Sequence, residues 1–109
     1  MSVEIAQLYF DYWNKRDLSG LMSIFSKNIV LKDWEGSHQG SLAVLDANSK
    51  IFKHQPDIEL KVIDIAVTND NHKIMAELEI YLDKELKIDV VDIISFKNDK
   101  IIDIKAYKI

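Results

Sequence analysis

The chain has 109 residues, enough for one domain with a modest core, and 48% of them are apolar. Lys and Arg number 14 against 18 Asp and Glu, giving a net charge of -4 with the signs interspersed, so no basic stripe is available to neutralise nucleic-acid phosphates. Cysteine is absent, which removes disulfides, thiolate metal sites and a thiol nucleophile; no stretch nears the ~20 apolar residues that cross a bilayer, and no basic-then-apolar leader opens the chain. These features fit a cytoplasmic protein with neither a nucleic-acid nor a membrane partner.

Residues 2–16 read as an amphipathic helix, with Ile5, Leu8, Tyr9, Tyr12 and Trp13 on one face. Asp17 is a good N-cap for a second, short helix that turns Leu18, Leu21, Met22 and Phe25 inward and stops at Asn28. A short strand follows, from Ile29 to Trp34. Glu35–Gly40 is polar and glycine-bearing, so it reads as a loop. Ser41 is placed to cap a third helix over 42–54, with Val44, Leu45, Asn48, Ile51 and Phe52 inside, and Pro56 closes it off.

The remainder reads as β-structure. Strand 58–68 changes phase around Val62–Ile63, which predicts a bulge and a bend. Strand 73–82 alternates with Ile74, Ala76, Leu78, Ile80 and Leu82 inward. Turns at Asp83-Lys84-Glu85 and Asn98-Asp99 lead into strands 86–97 and 100–108. Helices first and a long antiparallel meander after them predict an α+β fold, with the helices on one face of a strongly curved sheet.

Three polar residues stand on faces that should be dry. Asp92 shares the row of Leu86, Ile88, Val90, Ile94 and Phe96, where a carboxylate loses its water and is costly unless protonated or paired. Either it serves a function there, or a bulge turns it to solvent. Asp33 shares a face with Ile29 and Leu31 at a strand end, as a site residue or as a solvated terminus. Tyr9 lies mid-face on the first helix and either packs its ring or presents its hydroxyl. Asn48 faces inward and needs partners. His38, His54 and His72 have no metal-ligand spacing and read as surface residues.

The run Tyr9-Phe10, Trp13-Asn14, Asp17-Leu18, Leu21, Phe25 and Val30-Leu31-Lys32-Asp33 resembles the opening of SnoaL-like proteins in the NTF2-like superfamily. Val91-Asp92-Ile93-Ile94-Ser95-Phe96 followed by Lys100-Ile101 is similar to their closing hairpin. The resemblance spans nearly the whole chain. It implies a cone-shaped curved sheet with three helices from the N-terminal half, enclosing an apolar pocket. The motifs specify fold far better than activity, because the superfamily hosts many chemistries and non-enzymes.

Among these relatives, the ketosteroid isomerases match more closely. Their helix-one tyrosine, first-strand aspartate base and later-strand protonated aspartate fall on Tyr9, Asp33 and Asp92. The resemblance implies cofactor-free, metal-free proton abstraction next to a carbonyl, with Asp33 as base and Tyr9 and neutral Asp92 as oxyanion donors. The pocket wall is expected to draw on Tyr12, Trp13, Trp34, Asn48, Phe52, Ile94, Ala106 and Lys108. Asn48 stands where the isomerases carry a supporting tyrosine, Trp34 where they carry proline, and Lys108 brings a charge to the pocket mouth that suits a small or anionic ligand better than a steroid. The alternative is a non-catalytic ligand-binding or scaffold module. The expected partners are a small apolar or amphipathic molecule and a second copy of the chain. A homodimer would form through an outer sheet face bearing Ile63, Ile65, Val67, Val91, Ile93 and Ile101.

Overall fold

The computed structural model describes residues 2–109. The order is α1 (Ser2–Asn14), α2 (Leu18–Ile24), β1 (Phe25–Lys32), β2 (Ser37–Gln39), α3 (Ser41–His54), β3 (Glu59–Val67), β4 (Lys73–Tyr81), β5 (Lys87–Lys97) and β6 (Lys100–Lys108). The six strands form one curved, unclosed sheet in the order β2-β1-β6-β5-β4-β3. The α+β cone with three helices from the N-terminal half is therefore present. One pairing goes beyond a meander: β1 lies parallel to β6, so the sheet is mixed. Among the described residues no helix is long and apolar enough to cross a membrane.

The parallel pairing explains where sequence reasoning misplaced boundaries. The second helix stops at Ile24 rather than Asn28, because Phe25 turns extended (φ -85°, ψ 135°) and pairs with Ile101 of β6. Helical geometry at Phe25 would forfeit that ladder. Helix α1 ends at Asn14, two residues early, and Arg16 adopts φ 53° beyond it. Its guanidinium donates to the carbonyls of Asn14, Pro56 and Ile58. The segment expected to be a loop contains β2, which pairs Leu31 with His38. Gly40, not Ser41, occupies the N-cap of α3, with φ 89° and ψ 150°, a region that side-chain-bearing residues avoid. Ser41 is instead the first, buried residue of that helix.

Other local expectations hold. Asp17 caps α2 by accepting from the Gly20 N–H at 2.9 Å. The β3 register shifts between Val62 and Asp64, where the change of phase predicted a bulge. A clamp not read from sequence joins α1 to the sheet: the Asn14 side chain donates to Leu60 O and accepts from Leu60 N, both at 2.8 Å.

The core fills the concavity. Leu21, Ile29, Val44, Ile74, Leu78, Val90, Ile94, Ile101 and Ile104 are essentially inaccessible. Register corrects the apolar row expected on the outer face. Ile65 and Val67 pair with Ala76 and Ile74 and so share the concave side, and Ile101 is buried opposite Phe96. The bulge had shifted the alternation of β3 by one residue. The convex face keeps Val91 and Ile93, with Met75 and Tyr107 beside them in register and Glu77 and Lys105 among them.

Helix α2 sits so close to α1 that a Cβ on Gly20 would lie 2.4 Å from the Tyr12 ring. Gly20→Ala gains about 1 kcal/mol of helix preference but overpacks against aromatic carbon at a cost of roughly 1–3 kcal/mol. Urea unfolding should show a net loss of stability; an unchanged or raised midpoint would refute this contact.

Candidate functional site

Strand alternation on the concave face builds the site in rows. Ile80 pairs with Ile88, Leu78 with Val90 and Ala76 with Asp92, and across the next strand Val90 meets Lys108 and Asp92 meets Ala106. Asp92 is thus flanked by two alanines, with Val90 and Ile94 before and after it on its own strand. The register runs unbroken through Asp92, and the bulge that could have turned it outward lies later, between Ser95 and Phe96. The residue is only 6% exposed.

Burial alone governs its titration. With no cation or hydrogen-bond donor to offset the lost hydration, the Asp92 carboxyl is pushed up from 3.8 to about 7. The Tyr9 phenol lies on the same dry interior and is raised well above 10, first by burial and then by the Asp92 charge. The Tyr9 ring is wedged between Phe10 and Phe25, with centroids at 5.3 and 6.0 Å.

Asp33 follows β1 directly. Its Oδ1 accepts from the backbone N–H groups of Glu35 at 2.8 Å and Gly36 at 3.0 Å, which fixes the turn after the strand. Since Lys32 pairs with Lys105, the next residue on β6 is Ala106, which itself pairs with Asp92. Asp33 therefore leaves β1 at the level of the Ala106–Asp92 pair, on the other side of β6 from Asp92.

A cleft of about 810 Å³ opens between the sheet and α3. Its apolar wall includes Trp13, Leu31, Ile58, Ile80 and Ile88, and its rim carries Asp33, Trp34, His38, Lys50, His54 and Lys108. Of the residues expected from sequence, it gathers Trp13, Asp33, Trp34 and Lys108. The others lie elsewhere. Tyr12 is pressed on Gly20, Phe52 stacks edge-on behind Trp13 at 5.1 Å, Ile94 is sealed in the core, and Ala106, like Tyr9 and Asp92, lies outside the cleft lining. Asn48 sits beneath Trp13, whose Nε1–H donates to its Oδ1 at 3.3 Å. The Asn48 Nδ2 is buried without a partner among the described residues.

His38 and His54, expected on the surface, both border the cleft. His38 is turned inward because it pairs with Leu31, whose side chain points to the concavity; without β2 its direction could not be read. A second groove of similar volume lies at Asp57, Glu59, Lys61 and Asp83, at the same end of β3 and β4 but on the other face of the sheet. No cluster of metal-ligand residues exists among the described residues.

Residues 6–104 match the SnoaL-like domain family. A search of the curated proteins found no match. Similar solved structures include Bal32a from a soil-derived mobile gene cassette (TM-score 0.91, 15% identity, 98% of this chain and 88% of that one). A candidate polyketide cyclase from Sinorhizobium meliloti aligns with TM-score 0.86 and 19% identity over 97% and 98% of the two chains. A candidate ketosteroid isomerase from Kribbella flavida gives TM-score 0.85 and 12% identity over 98% and 77%. At these identities the likeness is one of fold.

The Asp92 titration has a stability consequence of definite sign. The unfolded chain releases this proton near 3.8 and the folded one near about 7. Between those values the folded state holds the extra proton, so stability falls as pH rises through the window and levels off above it. The unfolding free energy of the wild type, less that of Asp92→Asn, should therefore drop by a few kcal/mol from pH 4 to 7 in urea titrations. A flat difference would show that Asp92 ionises normally.

Proposed function

As this chain belongs to the SnoaL-like family, we propose that it binds a small amphipathic carbonyl compound in the cleft and moves a proton beside that carbonyl without a cofactor. The observation that carries the reading is the buried Asp92 carboxyl, unrelieved by any charge, in the same dry interior as the equally buried Tyr9 phenol. Protonated, Asp92 is a hydrogen-bond donor, and Tyr9 stays protonated throughout the physiological range. Two neutral donors in a dry recess stabilise an enolate oxygen far better than they stabilise the ground-state carbonyl, which is the condition for catalysis.

Asp33 supplies the base. Its turn hydrogen bonds engage Oδ1 and orient the carboxylate, leaving Oδ2 for the substrate proton. A base at the cleft rim and donors in the interior suit a substrate whose carbonyl oxygen reaches inward while its acidic carbon stays at the rim. The candidate cyclase and isomerase among the similar structures support this class of reaction for the fold.

Unsaturated ketones that absorb on conjugation provide the assay. Asp33→Asn should abolish turnover with the fold intact, because an amide of nearly the same shape cannot accept the proton. Tyr9→Phe should slow the reaction on the order of a hundredfold. Phenols, which imitate the enolate, should bind wild type and Asp33→Asn and bind Tyr9→Phe poorly. If no ketone is turned over and phenols do not bind, the protein is a non-catalytic binding module. If turnover survives Asp33→Asn, the base is misassigned.

A further inference from the structure

Lys108 is the side chain of the cleft that the proton-transfer reading leaves unused. It is the last residue of β6 and pairs with Val90, whose side chain is buried in the concavity, so alternation directs Lys108 to the same side as Ile104 and Ala106. It borders the cleft, and its Nζ stands 5.9 Å from the centroid of the Trp34 ring on the rim. That distance is at the outer limit of a cation–π contact, which orients an ammonium without using its three N–H donors. No carboxylate pairs with it among the described residues.

The other charges around the opening are engaged or peripheral. Lys50 is bridged to Asp46 at 3.0 Å, one turn earlier on α3. His54 uses Nδ1 on the Lys50 carbonyl at 2.7 Å. Asp33 spends one oxygen on the turn amides, and Glu35 lies exposed in that turn. His38 offers a further half-buried nitrogen on the same rim. What is left is a cation over an aromatic plane at the mouth of an apolar cleft.

We infer that the ligand of this cleft is an amphipathic anion, a carboxylate or an equivalent oxyacid, whose charged end is held by Lys108 over Trp34 while its apolar body enters the cleft. This rests on the proposed use of the cleft and narrows its substrate class. Lys108 is two residues along β6 from Ala106, the partner of Asp92, so the anion lies about 7 Å along the strand from the Asp92 row. That separation is roughly the width of one ring or a few carbons. It describes an oxo acid, with its carbonyl inward and its carboxylate at the mouth. A neutral polycycle would leave Lys108 without a counter-charge and press apolar surface on an ammonium.

The only two tryptophans, Trp13 and Trp34, both line the cleft, so intrinsic fluorescence reports on its occupancy. Two dyes of one shape separate charge from burial: anilinonaphthalene sulfonate, an anion, and N-phenylnaphthylamine, its neutral counterpart. Both should quench the tryptophans with one site per chain. Lys108→Met should weaken the sulfonate roughly five- to tenfold and leave the neutral dye within a factor of about two, and Lys108→Arg should retain the sulfonate affinity. Added salt should weaken only the sulfonate. An equal loss of both dyes would make Lys108 a packing residue, and no loss of either would remove it from the site; each result overturns the anion assignment while the cleft reading stands. Failure of the neutral dye to quench either tryptophan overturns both together.

Discussion

The parallel seating of β1 on β6 is the contact on which the rest of this architecture depends. An antiparallel meander of four strands is by itself a curved ribbon with one naked concave face. Pairing Phe25 with Ile101 and Leu31 with Ile104 extends that ribbon and draws the helical half of the chain across it. A parallel pair cannot be closed by a tight turn; it needs a long connection, and here that connection is α3, β2 and the entire meander. Because β1 follows α2 with no intervening loop, fixing β1 also fixes where α1 and α2 lie. The Asn14 clamp on Leu60 then secures α1 against the far edge, β3.

Such an arrangement covers the concavity incompletely, and the incompleteness is the site. Helices α1 and α2 seal the end where Ile74, Ile94 and Ile101 are dry. Toward the other end of the strands, Ile80, Ile88 and Lys108 line the cleft that opens between the sheet and α3. Asp92 lies inside the sealed region, one row behind Leu78 and Val90, which separate it on β4 and β5 from the cleft residues Ile80 and Ile88. Alanine on both neighbouring strands leaves it without large side chains to either side, so a polar group is kept dry without being crushed. The chemistry proposed for the cleft needs Asp92 dry, because a solvated carboxyl would be ionised and could not donate.

Much of this was legible because alternation is a strong signal wherever a strand is regular. Asp92 and Lys108 were placed on the concave side by counting in twos, and the structure puts both there. The count failed where the backbone departs from period two. The β3 bulge sent Ile65 and Val67 to the opposite face, and β2, only three residues long, left no pattern from which to orient His38. The early end of α2 was invisible for a different reason. Ile24, Phe25 and Ser26 carry no helix stop; what ends the helix is a ladder to a strand that occurs 75 residues later in the chain, and local sequence cannot report a partner so remote. The wall of the cleft was half missed for similar reasons. Tyr12 and Phe52 have the right helical phase to face inward, but packing against Gly20 and Trp13 consumes them.

Where local rules are broken, function is the economical explanation. An inward asparagine with one unpartnered nitrogen and an aspartate among aliphatic neighbours each oppose folding, and a lysine at the lip of an apolar cleft has no ion pair among the described residues. A valine at 92 or a leucine at 48 would satisfy the same pattern more cheaply. The three exceptions are not scattered. Asn48 supports Trp13, a wall of the cleft; Asp92 is buried on the same concave face behind that wall; Lys108 stands at the mouth beside Trp34. Misfit residues dispersed over a fold would suggest tolerated imperfection. Misfits gathered on one concave face, an inner acid, an apolar wall and an outer cation, match the polarity of the ligand proposed above, with its carbonyl inward and its negative charge at the mouth.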